Sequence, residues 1–247
     1  DRHRFYNTSA SEEDFWANHY ISDAWTDDQT EYSSLRNTIG VDLLEGFNKY
    51  AKAGLSAFVT HELRKYTQAV DTLPISGPDR PEGLTPYPFA ERLSAKTSEN
   101  LLYVGAQLTK QQGTLLNYEG TVQIGLVGPA AGELKADGNV TTRIKFLGDT
   151  VRLKGYGYFS NTTAPYLMNN FVSNHFMWKN DFGKTRRLRF GGVLDIPHTS
   201  TNIDVGVENV QNMIYFNDQC LPMQAGGSVQ VLSARLQQDF RFRALNW

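Results

Sequence analysis

The sequence predicts an all-β fold, an antiparallel meander of about ten strands that forms a transmembrane β-barrel or part of a larger one. Three observations support this prediction. Apolar and polar residues alternate in one stretch after another, as they do along a strand with one apolar and one polar face. These stretches are about ten residues long, the length that a tilted strand needs to cross a bilayer. Short and long connections alternate between the early strands, which is typical of outer-membrane barrels.

Length and composition limit the classes of protein to which the chain can belong. Its 247 residues, 40% of them hydrophobic, suffice for one large β domain or two small ones. A net charge of −2 argues against a nucleic-acid-binding protein, which would carry an excess of basic residues. The single cysteine, Cys220, excludes a disulfide framework within one chain. No apolar run has the length of a transmembrane helix. No signal peptide opens the sequence, so we expect the chain to be mature, a fragment or cytosolic.

The chain begins with a polar segment, residues 1–32, that is rich in aromatic side chains and is predicted to form a loop or strand ends. The predicted barrel region, residues 33–247, opens with a hairpin over 34–64. Its two arms place apolar side chains on one face and charged side chains on the other. Residues 65–97 follow and hold more than half of the chain's prolines, so we expect a long surface loop there.

Further alternating stretches continue the meander. One hairpin is predicted over 98–127 with a turn at 110–113, and another is centred on Gly148 and Asp149. A loop over 160–174, a short strand over 175–178 and a tight turn at 181–184 are expected next. Strands near 188–196, 203–207 and 234–244 complete the pattern. The alternation of short and long connections fails late, because residues 197–200 also form a short connection, and this counts against the barrel.

The two faces of these strands supply the candidate site residues. In a barrel the polar face would line a water-filled lumen and the apolar face would contact lipid. The pore-lining candidates are Arg36, Asp42, Glu62, Glu119, Arg143, Lys145, Arg152, Lys154, Arg187, Arg189, Asp204, Glu208, Asp239 and Arg241. The lipid-facing candidates are Leu35, Ile39, Val41, Leu55, Val59, Leu63, Leu188 and Phe190. The basic candidates would form one wall that tunes ion preference, or a neutralised salt-bridge network that blocks flow.

Motifs for catalysis or for cofactor binding are missing from the sequence. The five histidines are not at metal-ligand spacing, and the acidic residues of 12–14 and 27–28 lack the spacing of a calcium loop. There is no G-x-G-x-x-G, P-loop or G-x-S-x-G motif, and Cys220 has no histidine nearby in sequence. We therefore expect neither an enzyme nor a bound cofactor or metal.

Several short segments resemble a family of outer-membrane porins from Bacteroides-type Gram-negative bacteria. They are S-L-R-N-T-I-G at 34–40, E-G-F-N-K at 45–49, A-K-A-G-L at 51–55, L-G-D-T-V at 147–151, G-V-E-N-V at 206–210 and V-L-S-A at 231–234. The resemblance runs from about Ser33 to the C-terminus, and these segments are signatures of a fold. It implies a β-barrel of the outer membrane. Members of the family are longer, and for this reason we expect a fragment rather than a mature or a cytosolic protein.

Together these observations predict a porin-like ion channel for the passive diffusion of small hydrophilic solutes. Its expected location is the cell outer membrane, and its expected partners are the lipid bilayer and the solutes, without nucleic acid. The sequence leaves a homo-oligomer open. It also leaves open a soluble, secreted β-sandwich that binds glycan or protein through its long loops. A structural barrel within an envelope complex is a third interpretation.

Overall fold

The computed structural model describes residues 2–6, 25–47, 52–70, 93–113, 115–146, 149–173, 176–242 and 245–246. These contain sixteen strands and one four-residue helix, α1 (Tyr166–Asn169). The strands are β1 (Arg2–Tyr6), β2 (Trp25–Leu43), β3 (Gly54–Val70), β4 (Leu93–Lys110), β5 (Leu116–Val127), β6 (Leu134–Phe146), β7 (Asp149–Thr162), β8 (Asn170–Val172), β9 (Met177–Lys179), β10 (Thr185–Ile196), β11 (Thr201–Gln211), β12 (Ile214–Phe216), β13 (Pro222–Gln224), β14 (Ser228–Gln238), β15 (Arg241–Phe242) and β16 (Leu245–Asn246).

Ten of the strands form one antiparallel sheet in the order β1-β2-β3-β4-β5-β6-β7-β10-β11-β14. This confirms the all-β antiparallel meander. β1 and β14 lie at the two edges, and no ladder joins them within the described residues. β8 pairs with β9, β12 with β13 and β15 with β16, each as a separate small hairpin. The described part of the chain contains no helical segment with the length and hydropathy of a membrane span.

The register of the sheet keeps the two faces continuous from strand to strand. On one face Leu35 lies opposite Leu63 and Ile39 lies opposite Val59, while on the other Arg36 lies opposite Glu62. Directly opposed residues of antiparallel strands share a face, so this parity can be followed from strand to strand across the sheet. The register shifts at one point between β4 and β5, next to Leu102 and Tyr103. We call the face with Ile39 the apolar face and the face with Arg36 the polar face.

The apolar face is mostly exposed, and most of the buried side chains lie on the polar face or in the connections. Val151, 2% exposed, is an exception on the apolar face. Ile39 on β2 is 79% exposed and Leu232 on β14 is 83% exposed. Leu101 and Tyr103, both on the polar face of β4, are buried together with Ala130 from the β5–β6 connection. The sheet therefore does not bury its apolar face within the described residues, as a soluble sandwich would have to.

The connections separate into two ends of the sheet. Residues 44–53, 111–115, 147–148 and 197–200 link strands at one end, which we call the short-turn end. Residues 163–184 and 212–227 link strands at the other, which we call the long-loop end. The predicted strand over 175–178 is not part of the ten-stranded sheet. Among the described residues β9, which begins at Met177, pairs with β8 alone, inside the 163–184 connection. When this strand is left out of the count, short and long connections alternate along the later part of the chain. The one exception among the later connections is the β5–β6 connection, 128–133, which is short.

Several strands extend beyond their predicted bounds. β3 continues to Val70 and β4 begins at Leu93, so the ends of the predicted 65–97 loop are strand. Residues 71–92 of the predicted 65–97 loop and residues 7–24 of the predicted N-terminal segment lie outside the described residues. β1 and the start of β2 fall within the 1–32 segment.

Candidate functional site

The polar face collects the charged residues that the sequence singled out. Twelve of the fourteen pore-lining candidates lie on it by register, each on one of the ten strands. Asp239 lies just beyond β14 and lines a small depression with Asp195 and Arg235. Arg241 belongs to β15, outside the ten-stranded sheet, and its side chain is not among those described. The candidate site is therefore one continuous polar surface.

Six basic residues of this face form what we call the basic strip. They are Arg143 and Lys145 on β6, Arg152 and Lys154 on β7, and Arg187 and Arg189 on β10. All six are exposed, and Arg143 lies directly opposite Arg152. Like charges at opposed positions repel each other, and this destabilises the sheet. Nearby carboxylates or water must therefore reduce the repulsion within the basic strip.

Carboxylates neutralise only part of the basic strip. Arg152 Nη1 lies 3.6 Å from Asp195 Oδ2, and Arg187 donates to Glu208 Oε1. The Arg189 guanidinium lies 5.5 Å from the centre of the Tyr156 ring, a cation–π contact. Among the described residues, the other three members of the strip have no ion-pair partner. The strip thus keeps a net positive charge, unlike a fully paired network.

Tyr156 is held across the polar face by two glycines. Its ring lies over Gly191 and Gly206 on the neighbouring strands, and its hydroxyl donates to Asp204 Oδ1 at 2.9 Å. A Cβ on Gly206 would come within 2.7 Å of the Tyr156 hydroxyl oxygen. These glycines therefore give the tyrosine room to lie flat beneath Arg189.

A buried ion cluster lies on the polar face of β2, β3 and β4. Glu62, only 6% exposed, accepts from Arg64 Nε at 2.7 Å and from Ser34 Oγ at 3.1 Å. Arg64 Nη1 also lies 3.9 Å from Glu99, which accepts from the Tyr66 hydroxyl at 3.4 Å. Removing one partner would leave a buried charge without compensation, so these groups are held as a unit.

The 163–184 connection, which we call the inner loop, reaches across the polar face from β7 to β3 and β4. The Gln68 side chain on β3 donates to Asn170 O at 3.3 Å and accepts from Val172 N at 2.9 Å. Tyr166 stacks on Tyr66 with ring centres 4.4 Å apart, and its hydroxyl donates to Thr97 Oγ1 at 2.9 Å. Strands distant in the sheet order can share one loop only if the polar face is concave.

A cavity of about 320 Å³ lies between the inner loop and the polar face. Four tyrosines line it, together with basic, acidic and hydroxyl side chains. The lining includes Arg64, Tyr66, Glu99, Tyr103, Glu133, Lys135, Tyr158, Ser160, Thr162, Thr163, Tyr166 and Arg187. Of these residues, Arg187 alone is one of the pore-lining candidates, and Arg64 lies on the charged face of the predicted 34–64 hairpin. The described residues contain no group of three His, Cys, Asp or Glu side chains arranged to hold a metal ion.

A second set of polar contacts links two turns at the short-turn end. Glu45 Oε2 accepts from the backbone N–H groups of Gln111 at 2.7 Å and Gln112 at 3.0 Å. Lys110 Nζ donates to Glu45 Oε1 at 3.2 Å and to Lys52 O at 3.0 Å. The pKa of the Glu45 carboxyl is held below its usual value of 4.5. The largest cause is the hydrogen bond from Gln112 N–H, followed by the bond from Gln111 N–H and by Lys110.

We expect Glu45→Gln to loosen the turn at 111–113 at neutral pH. A lowered carboxyl pKa gives a stabilising contribution that is complete above pH 4.5 and is lost as the pH falls through the folded-state pKa. The uncharged amide of glutamine resembles the protonated acid, so backbone amides of Gln111 and Gln112 should exchange hydrogen severalfold faster at pH 7. The difference from the original protein should shrink as the pH falls below 4.5 and the Glu45 carboxylate becomes protonated. Equal amide protection of both proteins at pH 7 would refute this prediction.

Comparison with known proteins gives one match. A family model described as "Putative porin" matches residues 1–247, the whole chain. No curated protein and no solved structure matches.

Proposed function

This chain belongs to that porin family, and we propose that it lines an outer-membrane channel through which small hydrophilic solutes diffuse passively, without a chemical step. One observation carries the proposal beyond the family: the sheet exposes its apolar face and concentrates charge on its concave polar face. This is the inverse of a soluble β protein and the arrangement of a barrel wall between lipid and water.

The apolar face supports contact with lipid. Leu35, Ile39 and Val41 are 59%, 79% and 72% exposed, and a continuous apolar surface is typical of a face that contacts lipid or a partner. The other lipid-facing candidates, Leu55, Val59, Leu63, Leu188 and Phe190, share this face by register. The wall strands from β2 to β14 are 11 to 19 residues long, which is enough for a tilted span.

The polar face supports a hydrated pathway that favours anions. Charged side chains cost little where water solvates them, and the basic strip is exposed. Because carboxylates compensate only some of its charge, the strip raises the local concentration of anions. The inner loop covers part of this face and would narrow the pathway.

Conductance measurements in planar bilayers test the proposal. The protein should form channels. In a KCl gradient, the reversal potential should have the sign of a channel that is more permeable to chloride than to potassium. Arg189→Glu and Arg187→Glu should each move the reversal potential towards cation preference, because they invert a charge on the polar face.

The neighbouring residue Arg186 supplies a matched control. It lies on the same strand but on the opposite face, where it faces Asn161 and Gln211. Arg186→Glu should leave the reversal potential unchanged. A folded, detergent-dependent protein without conductance would contradict the channel and favour a structural barrel, and ready solubility without detergent would contradict both.

A further inference from the structure

We infer that the cavity beneath the inner loop binds the oxyanion group, carboxylate or phosphate, of a permeating solute, with Lys135, Ser160 and Arg187 as the contacting residues. This deepens the proposed function, since the solute would reach the cavity along the polar face. The chemistry assigned to the site follows from the position of these three residues and from the partners that they have or lack.

The three residues form one row across three strands of the polar face. Lys135 on β6 lies directly opposite Ser160 on β7, which in turn lies directly opposite Arg187 on β10. All three line the cavity. Adjacent strands are about 4.8 Å apart, so the Cα atoms of the two basic residues are separated by roughly 10 Å with a hydroxyl between them. An oxyanion can be contacted from both sides in such a row.

Ser160 is the buried member of the row. As a residue it is 2% exposed, and its hydroxyl forms no hydrogen bond with any residue that the structure describes. It is not among the fully buried polar atoms that lack a partner, so its oxygen keeps access to the cavity. Since Ser160 lines the cavity, its available hydrogen-bonding capacity faces the space that a ligand would occupy.

The acidic groups of the cavity already have partners. Glu133 accepts from the backbone N–H of Thr163 at 2.9 Å and from the Tyr103 hydroxyl at 3.5 Å. Glu99 lies beside Arg64 and Tyr66 in the buried ion cluster. Arg187 pairs with Glu208, whereas Lys135 has no carboxylate partner among the described residues. Lys135 is therefore the cation available for an anionic ligand.

The other walls of the cavity suit the organic part of such a solute. Tyr66, Tyr103, Tyr158 and Tyr166 present aromatic surface and hydroxyl groups, and a volume of about 320 Å³ is at the small end of the range for ligand sites. The stacking of Tyr166 on Tyr66 ties this wall to the inner loop. Small organic acids and phosphorylated compounds are the class that matches these dimensions and charges.

Titration calorimetry of the detergent-purified protein with inorganic phosphate and, separately, with acetate tests the site. The protein should bind at least one of the two anions. Lys135→Gln should weaken the affinity about tenfold, as expected for loss of a charge-assisted hydrogen bond, and Ser160→Ala should weaken it severalfold. Lys52→Gln removes the same charge at the short-turn end, far from the cavity, and should leave the affinity unchanged. Each variant is folded if its unboiled sample migrates faster on a gel than its boiled sample.

The outcomes separate this inference from the channel proposal. Failure of both anions to bind, an unchanged affinity in folded Lys135→Gln, or an equal loss in Lys52→Gln would overturn the site. Binding of acetate and phosphate supports a general oxyanion site, and binding of one alone supports a site for that group. Conductance is measured in KCl without phosphate or acetate. A protein that shows no conductance would refute the channel. If the same protein bound an anion with an affinity that depends on Lys135, the site would still be supported.

Discussion

Val122→Arg should lower the free energy of unfolding from a bilayer by roughly 2–4 kcal/mol, the cost of a basic side chain near the membrane midplane on the lipid face of a barrel. Val122 lies near the middle of β5, on the apolar face, and is 40% exposed. The residues directly opposite it, Ala106 and Ala136, have no group that could pair with the new charge. Urea unfolding in lipid vesicles, followed by tryptophan fluorescence, measures the difference.

Thr121→Arg is the matched control, because Thr121 precedes Val122 on the same strand and points to the other face. It lies directly opposite Asp137, whose carboxylate could form an ion pair with the new guanidinium group. The expected change in the free energy of unfolding is below about 1 kcal/mol, as for exposed ion pairs. If Thr121→Arg were as destabilising as Val122→Arg, the two faces would not differ in environment, and the orientation of the sheet between lipid and water would be wrong.

Gln68→Leu should release the inner loop and raise single-channel conductance. Gln68 is 1% exposed, and both ends of its amide bond the loop backbone. Leucine has a similar size but leaves Asn170 O and Val172 N without these partners. Each lost hydrogen bond costs about 0.5–1.5 kcal/mol, so the undocked population should rise about tenfold or more. Single-channel recordings should show larger and noisier openings.

A second glutamine on the polar face provides the comparison for this variant. Gln107 on β4 donates to Glu119 Oε1 at 2.7 Å and does not contact the inner loop. Gln107→Leu removes an amide of the same size from the same face and should leave the amplitude of current noise unchanged. Unaltered conductance and noise in Gln68→Leu would show that the inner loop does not restrict the pathway.

The division into two faces could be predicted because it depends on local sequence alone. Side chains alternate with a period of two, so Leu35, Ile39 and Val41 had to share a face once this segment was recognised as a strand. Antiparallel pairing then carries the parity to the next strand. The prediction was least complete where side chains are small: β6 begins at Leu134, but Ala136 and Gly138 conceal its alternation, and the sequence pattern indicated strand only from Val140.

Long-range contacts account for what the sequence did not reveal. The predicted strand over 175–178 could not be assigned to a loop hairpin without knowing that β9 pairs with β8 and, within the part of the chain that the structure describes, with no strand of the large sheet. Glu133 and Tyr103 were unremarkable in sequence, and they meet because the β5–β6 connection folds back onto β4. The cavity is built from such contacts between distant segments, so no spacing or motif could have identified it. A loop tyrosine such as Tyr166 gave no local signal of its partner on β3.

The contact between Gln68 and the inner loop also constrains the order in which the protein assembles. The bonded groups are 102 and 104 residues apart in the chain, whereas each hairpin of the wall joins neighbouring segments. Closing so long a segment costs chain entropy before the contact can stabilise the fold. Contacts of this kind therefore slow folding. The loop has no place to dock until β3, β4 and β7 lie in one curved sheet. Its docking therefore belongs to the last stage of folding and reports that the curvature of the wall is complete.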